Sequence, residues 1–236
     1  MTPADRAGHT GALFDDLPVP ATDPIDPNLV SVAGALASLV AAPGPGPGPG
    51  PDPGPNPAIG RMTCPVTALG EQAVVLRGLA LGAAGVLAVA IDQVASQARW
   101  RRMITPGGLT MSVALTNCGA LGWTSDARGY RYSPLDPVSG RPWPALPDAF
   151  ARLARAAAQA GGFDAFAPDA CLVNRYQPGA RLSLHQDRNE RDFSQPIVAV
   201  WGGADRLRFH GIAPVQQASH PLTGAERINF TFRCAG

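Results

Sequence analysis

His185 and Asp187 are two residues apart, which puts an imidazole and a carboxylate on the same face of an extended strand. With a second histidine such a pair makes a 2-His-1-carboxylate triad, whose open coordination positions suit non-heme Fe(II) and O2 chemistry. The chain has 4 His and 15 Asp in 236 residues. About a quarter of one H-x-D is therefore expected by chance, so the tripeptide alone decides little. The segment 227–233 (RINFTFR) adds a second signal. Ile228, Phe230 and Phe232 fall on one face of a strand, and Arg227, Asn229, Thr231 and Arg233 on the other. Two guanidinium groups with hydrogen-bonding residues between them form a cradle for a small dianion. 2-Oxoglutarate is such a dianion, and it is the usual co-substrate of that iron site.

Positioning these residues requires a scaffold, and the pattern predicts one of α+β class. A strand is expected near 73–76 and a helix over 82–98. A second helix starts near Pro147 and Asp148 and stops at Gly161 and Gly162, with Phe150, Leu153 and Ala157 inside and Arg152 and Arg155 outside. Residues 108–145, rich in Gly, Pro, Tyr and Ser, predict hairpins and loops rather than core. After 168 short strands follow, at 171–176, 181–185, 196–200, 206–210 and 227–233. Asn174 and Tyr176 share a face of the first of these. Upstream, 43–57 (PGPGPGPGPDPGPNP) has little to bury and few backbone donors, so it predicts an extended, disordered linker. Residues 1–60 then form a dispensable tail with a short apolar patch at 29–40, and 61–236 the functional domain. Deleting 1–58 is expected to leave thermal stability and nucleic-acid affinity nearly unchanged.

Formal charge is +1 overall but unevenly spread. Residues 1–60 carry one Arg against six Asp, while 61–236 carry 18 Arg against 9 Asp and 3 Glu. A basic body suits a phosphate-rich partner, although a GC-rich gene would also favour Arg, here to the exclusion of Lys. Arg99, Arg101 and Arg102 around Trp100 are the expected phosphate contacts. No run of about 18 apolar residues predicts a membrane span, and the N-terminus lacks signal-peptide order. The four cysteines, at 64, 118, 171 and 234, have no C-x-x-C spacing. They read as reduced thiols of a cytoplasmic protein, with no zinc site.

Several stretches together resemble the AlkB-type Fe(II)/2-oxoglutarate DNA dioxygenases. They are 103–108 (MITPGG), 110–114 (TMSVA), 116–119 (TNCG), 121–123 (LGW), 130–134 (YRYSP), 171–187 (CLVNRYQPGARLSLHQD), 201–203 (WGG) and 209–212 (FHGI), with 13–18 (LFDDLP) similar to the family's opening. The resemblance implies a double-stranded β-helix, the cupin-like jelly roll, with N-terminal helices and a hairpin-rich nucleotide-recognition region over 108–145. It implies Fe(II) held by His185, Asp187 and His210, with 2-oxoglutarate and O2 as co-substrates. Asn174, Tyr176, Arg227, Asn229 and Arg233 would bind 2-oxoglutarate, Arg233 at the end near iron. Trp123 and Tyr130 would position a flipped base against His185, with Met111 and Ser112 lining the same pocket. His220 is expected to be structural, and His9 lies in the tail.

The reaction implied is oxidative demethylation of 1-methyladenine and 3-methylcytosine. An N-methyl group is hydroxylated and lost as formaldehyde, with succinate and CO2 as co-products. The implied partner is alkylated DNA, single-stranded by preference, bound by a monomer without membrane attachment. RNA or a small molecule stands as an alternative substrate, because DNA and RNA differ at a 2′-hydroxyl that nothing here reads. One departure concerns the base: Asn189 stands where the family has an acidic residue, which weakens the case for selecting a cationic base.

The larger departure is length. Only 22 residues separate Asp187 from His210. Three or four intervening jelly-roll strands need on the order of 25–50 residues. The shortfall falls between Val200 and Trp201, and it raises an incomplete barrel. A gene-model error, a genuine deletion and a shortened barrel that still brings His210 to the metal are all open. A catalytically impaired nucleic-acid-binding remnant is accordingly the second functional reading. On this spacing the chain is expected to bind Fe(II) more weakly than a version with the segment restored.

Overall fold

Three antiparallel strands carry the molecule's core. The computed structural model describes residues 64–187, 189–198, 205 and 208–236. The tail, the linker with its 29–40 patch, and the junction between Val200 and Trp201 lie outside these described residues. A small hairpin, β1 (Val66–Ala68) and β2 (Val74–Leu76), precedes helix α1 (Ala84–Gln97). Strand β3 (Ala114–Gly119) follows, then a hairpin of β4 (Gly122–Asp126) and β5 (Gly129–Ser133), then helix α2 (Asp148–Ala160). The last four strands are β6 (Ala170–Tyr176), β7 (Leu182–His185), β8 (His210–Ile212) and β9 (Arg227–Arg233). The main sheet has the order β3-β6-β9, while β4-β5 and β7-β8 are separate two-stranded sheets.

Both helices cover one face of the main sheet. Leu87, Ala90 and Val94 of α1 and Phe150, Ala154 and Ala158 of α2 pack with Cys118, Cys171, Val173 and Phe232. Phe150 meets Phe230 edge-on at 4.7 Å between centroids, fixing α2 over β9. The inner stripe of α2 is Phe150, Ala154 and Ala158 rather than Phe150, Leu153 and Ala157, a rotation that leaves Leu153 half-buried and Arg152 and Arg155 exposed. The apolar alternation of β9 lies as its sequence predicts, with Ile228, Phe230 and Phe232 toward the helices. The opposite face therefore carries Asn174, Tyr176, Arg227, Asn229 and Arg233.

Two expectations are corrected. The 108–145 region is not only hairpins and loops, because β3 lies in it and buries Leu115, Thr116, Asn117 and Cys118. Its polar members escape the cost of burial by bonding backbone: Thr116 Oγ1 donates to the Ala98 carbonyl, and Asn117 bonds the Trp123 N–H and carbonyl. Nor is Arg101 a phosphate contact in waiting. Both its terminal nitrogens meet the buried Asp136 carboxylate, and it lies over the Trp143 ring.

The described sheets do not close into a barrel. Beyond β9, among the described residues, only the mutual backbone bonds of Val198 and Phe232 extend the main sheet. Of the strand expected at 206–210, residues 206 and 207 lie outside the described ones, and β8 is described at His210–Ile212. No described helix is long and apolar enough to cross a membrane.

Candidate metal centre

β8 pairs directly with β7, and the register sets His210 opposite His185. The two strands are remote in sequence yet adjacent in space, so the short stretch after Asp187 does not keep the second histidine away. Gly211 is part of the reason. A Cβ there would stand 2.6 Å from the Leu182 carbonyl oxygen, so only glycine lets β8 lie this close to β7.

Asp187, two residues beyond His185, turns its carboxylate between the rings. His185 Nε2 lies 3.8 Å from Asp187 Oδ1, and His210 Nε2 lies 3.4 Å from Asp187 Oδ2. One donor atom from each of the three residues falls within 4.8 Å of the others. The Nδ1 of His185 is 2.9 Å from the Ser183 carbonyl, and that of His210 is 3.0 Å from the Arg208 carbonyl. A carbonyl can only accept, so each Nδ1 carries the hydrogen and each neutral ring presents its Nε2 lone pair. Asp187 Oδ2 is buried and accepts no hydrogen bond among the described residues. Two imidazole lone pairs and an unsatisfied carboxylate oxygen converging in this way fit a divalent cation. A donor set of two nitrogens and one oxygen suits Fe(II).

Electrostatics agree with that geometry. Burial pushes the His185 imidazole below its ordinary value, favouring the neutral ligand form. Burial acts the same way on His210, but the Asp187 carboxylate and the Arg208 carbonyl outweigh it and raise the value. Burial would raise the Asp187 carboxyl, yet Arg233 and the two imidazoles hold it well below the usual carboxylate range.

Arg233 reaches Asp187 from the end of β9. Its Nη2 donates to Asp187 Oδ1 at 2.9 Å, which leaves Oδ2 turned to His210. Its Nη1 donates to Glu190 Oε1 at 2.6 Å and to the Tyr132 hydroxyl at 2.9 Å. Glu190 and Tyr132 are not expected from the sequence. The one available signal is an acid three residues after Asp187, beside the position where Asn189 draws attention; Asn189 itself is exposed.

The residues expected to bind the co-substrate form a continuous group. Across β6 and β9, Asn174 faces Asn229 and Tyr176 faces Arg227. Asn174 Nδ2 donates to Asn229 Oδ1 at 3.3 Å, and the Arg227 guanidinium lies 5.8 Å over the Tyr176 ring. Burial pushes the Tyr176 phenol up to about 12, so it is a neutral donor at neutral pH. No carboxylate pairs with Arg227 among the described residues, in contrast with Arg233.

The expected base-contacting residues divide into two groups. Trp123 and Tyr130 stack on one another across the β4–β5 hairpin, with centroids 5.5 Å apart at 15°. Met111 and Ser112 line a cleft of about 270 Å³ that they share with Arg181, Leu182 and Ser183. Leu182 and Ser183 belong to β7, so the cleft borders the strand that carries His185. His220 lies in a turn, with its N–H and carbonyl bonded to Gly224 and its Nδ1 accepting from Leu222.

Residues 73–200 match the family model of the 2OG-Fe(II) oxygenase superfamily. The chain is 48% identical over 199 residues to the alpha-ketoglutarate-dependent dioxygenase AlkB of Escherichia coli (strain K12), covering 71% of this chain and 92% of that protein. It is 39% identical over 173 residues to the AlkB homolog of Caulobacter vibrioides (strain NA1000 / CB15N), covering 60% of this chain and 77% of that one. The solved structure of OsALKBH1 shares the fold with a TM-score of 0.61 at 21% identity, over 72% of this chain and 99% of that chain. For the Escherichia coli relative, 71% of 236 residues is about 168, so about 31 of the 199 aligned positions have no counterpart here.

Proposed function

The chain belongs to the AlkB-type dioxygenases of the 2OG-Fe(II) oxygenase superfamily, and from that premise we propose that it demethylates N-alkylated bases, 1-methyladenine and 3-methylcytosine among them, in DNA. It is an Fe(II)- and 2-oxoglutarate-dependent dioxygenase. The observation that carries the reading is the His185, Asp187 and His210 cluster, in which both Nε2 atoms turn to the Asp187 carboxylate. Bound there, Fe(II) with O2 and 2-oxoglutarate supplies an oxidant able to hydroxylate an N-methyl carbon, leaving succinate and CO2. The hydroxylated methyl then leaves the base as formaldehyde.

The chain's own residues have separate tasks. Arg227, Tyr176, Asn174 and Asn229 hold the co-substrate by charge-assisted and neutral hydrogen bonds. Arg233 fixes the Asp187 carboxylate and closes the co-substrate site at the metal end. Trp123 and Tyr130 offer an aromatic surface to an unstacked base, and Met111 and Ser112 line the cleft beside the metal strand. Single-stranded DNA is the favoured partner, since no duplex has then to be opened, and the enzyme acts as a cytoplasmic monomer. The complete ligand set favours an active enzyme over a nucleic-acid-binding remnant.

The test is coupled product release. A single-stranded oligodeoxynucleotide carrying 1-methyladenine should yield formaldehyde and succinate in equal amounts. Succinate without formaldehyde from any methylated DNA would contradict the proposal, and formaldehyde from RNA alone would move it to the RNA alternative. Asn189 allows a finer expectation. Asn189→Asp should raise kcat/KM for the cationic base by up to about fivefold, since an exposed charge interaction contributes roughly 0.2–1 kcal/mol. A neutral methylated base should gain nothing, as competition assays with the two substrates would show.

A further inference from the structure

We propose that Glu190 and Tyr132 are positioning residues for the metal centre, and that the chain Tyr132–Glu190–Arg233–Asp187 couples the β4–β5 hairpin to the metal-binding carboxylate. This goes beyond the demethylation reading and concerns the metal and the hairpin whatever the substrate, so a failure of formaldehyde release would leave it standing.

The argument begins with burial. The Glu190 side chain is only 1% exposed, and a buried carboxylate is costly unless paired and hydrogen-bonded. One of its oxygens takes two short bonds, 2.6 Å from Arg233 Nη1 and 2.6 Å from the Tyr132 hydroxyl. Arg233 in turn bridges Glu190 and Asp187, which stand on opposite sides of its fork. It grips the Asp187 oxygen that does not face His210, so the orientation of the metal-facing oxygen depends on where Arg233 is held. Outer partners of ligating carboxylates commonly set metal affinity in this way.

Charge points the same way. Asp187, Glu190 and Arg233 together carry one net negative charge. Without Glu190 the group is neutral, and a divalent cation at the cluster would face an Arg233 charge balanced by Asp187 alone. Tyr132 adds the link to the hairpin. It is the direct cross-strand partner of Trp123, and Trp123 stacks on Tyr130. Asn117 ties β4 to the main sheet through the Trp123 backbone, while the Tyr132 hydroxyl ties β5 to the metal side. The hairpin is thus held from two sides, one of them through the residues that orient the metal ligand.

The test uses the full 236-residue chain, its Glu190→Gln and Tyr132→Phe variants, and Co(II) alone as the probe. Co(II) affinity is measured by calorimetry and by the cobalt ligand-field absorption. Hydrogen exchange over 122–133 is followed with and without the metal. Glu190→Gln should bind Co(II) about tenfold or more weakly, the effect typical of lost outer-shell partners. Wild type should gain protection over 122–133 on adding Co(II), and Tyr132→Phe, which keeps the ring but not the hydroxyl, should not. A purely structural role would lower the melting temperature of the metal-free variants and leave Co(II) affinity and spectrum unchanged. Affinity of Glu190→Gln within twofold of wild type overturns the positioning role. Metal-induced protection retained in Tyr132→Phe, or absent from wild type, overturns the coupling. If Glu190→Gln does not fold, the Co(II) affinity of Tyr132→Phe decides the positioning role, with an unchanged value overturning it.

Discussion

Arg233→Ala is expected to destabilise the metal-free protein by about 3–5 kcal/mol, the usual cost of removing one partner from a buried ionic group. Asp187 and Glu190 are each 5% exposed, and both depend on this guanidinium. Removing it leaves two buried carboxylates facing each other across the space it occupied. The melting temperature should fall by on the order of 10 °C for a folded body of this size. Replacing Glu190 by Gln in the same chain should recover part of the loss, because one of the two stranded charges is then gone. A fall of only a degree or two would mean that the pairs are solvated and do not organise the site.

Arg227→Ala should act differently, although it lies on the same face of the same strand. It stands over Tyr176 and beside Asn174 and Asn229, with no carboxylate partner among the described residues. Its loss should leave stability and metal affinity nearly unchanged. 2-Oxoglutarate affinity should fall by about 2–4 kcal/mol, roughly 30- to 1000-fold, as expected when one partner of a desolvated charge pair is truncated. Calorimetric titration of the metal-loaded protein measures this directly. Unchanged affinity would place the co-substrate carboxylate elsewhere and return that role to Arg233.

What the sequence made legible follows from short-range periodicity. The two-residue spacing of His185 and Asp187, and the alternation of β9, are local properties, and the structure keeps both. Helix α2 was marked by Pro147 at one end and Gly161 at the other for the same reason. Strand β3 was not, because four consecutive residues are buried and two of them are polar, so neither alternation nor hydropathy marks it. Glu190 and Tyr132 were missed because their bond spans 58 residues, and an exposed acid after Asp187 would look identical in sequence. The pairing of β7 with β8 is long-range as well. Counting residues between Asp187 and His210 addresses how many strands fit along the chain, but the metal site depends on which strands are neighbours in space.

That distinction is the centre of the account. About 31 aligned positions of a relative have no counterpart here, yet the two candidate histidines stand on strands that pair with each other, with Asp187 just beyond one of them. The deciding measurement is divalent-metal affinity, by anaerobic calorimetry with Fe(II), for this chain and for a version carrying a relative's segment between Val200 and Trp201. The spacing between Asp187 and His210 taken alone predicts tighter binding by the longer version. The β7–β8 pairing predicts affinities within about tenfold of each other, a difference below roughly 1.4 kcal/mol, with His210→Ala strongly impaired in both. Tighter binding by the longer version beyond that margin, or His210→Ala binding as well as its parent in the shorter one, would show that the centre does not close in the 236-residue chain.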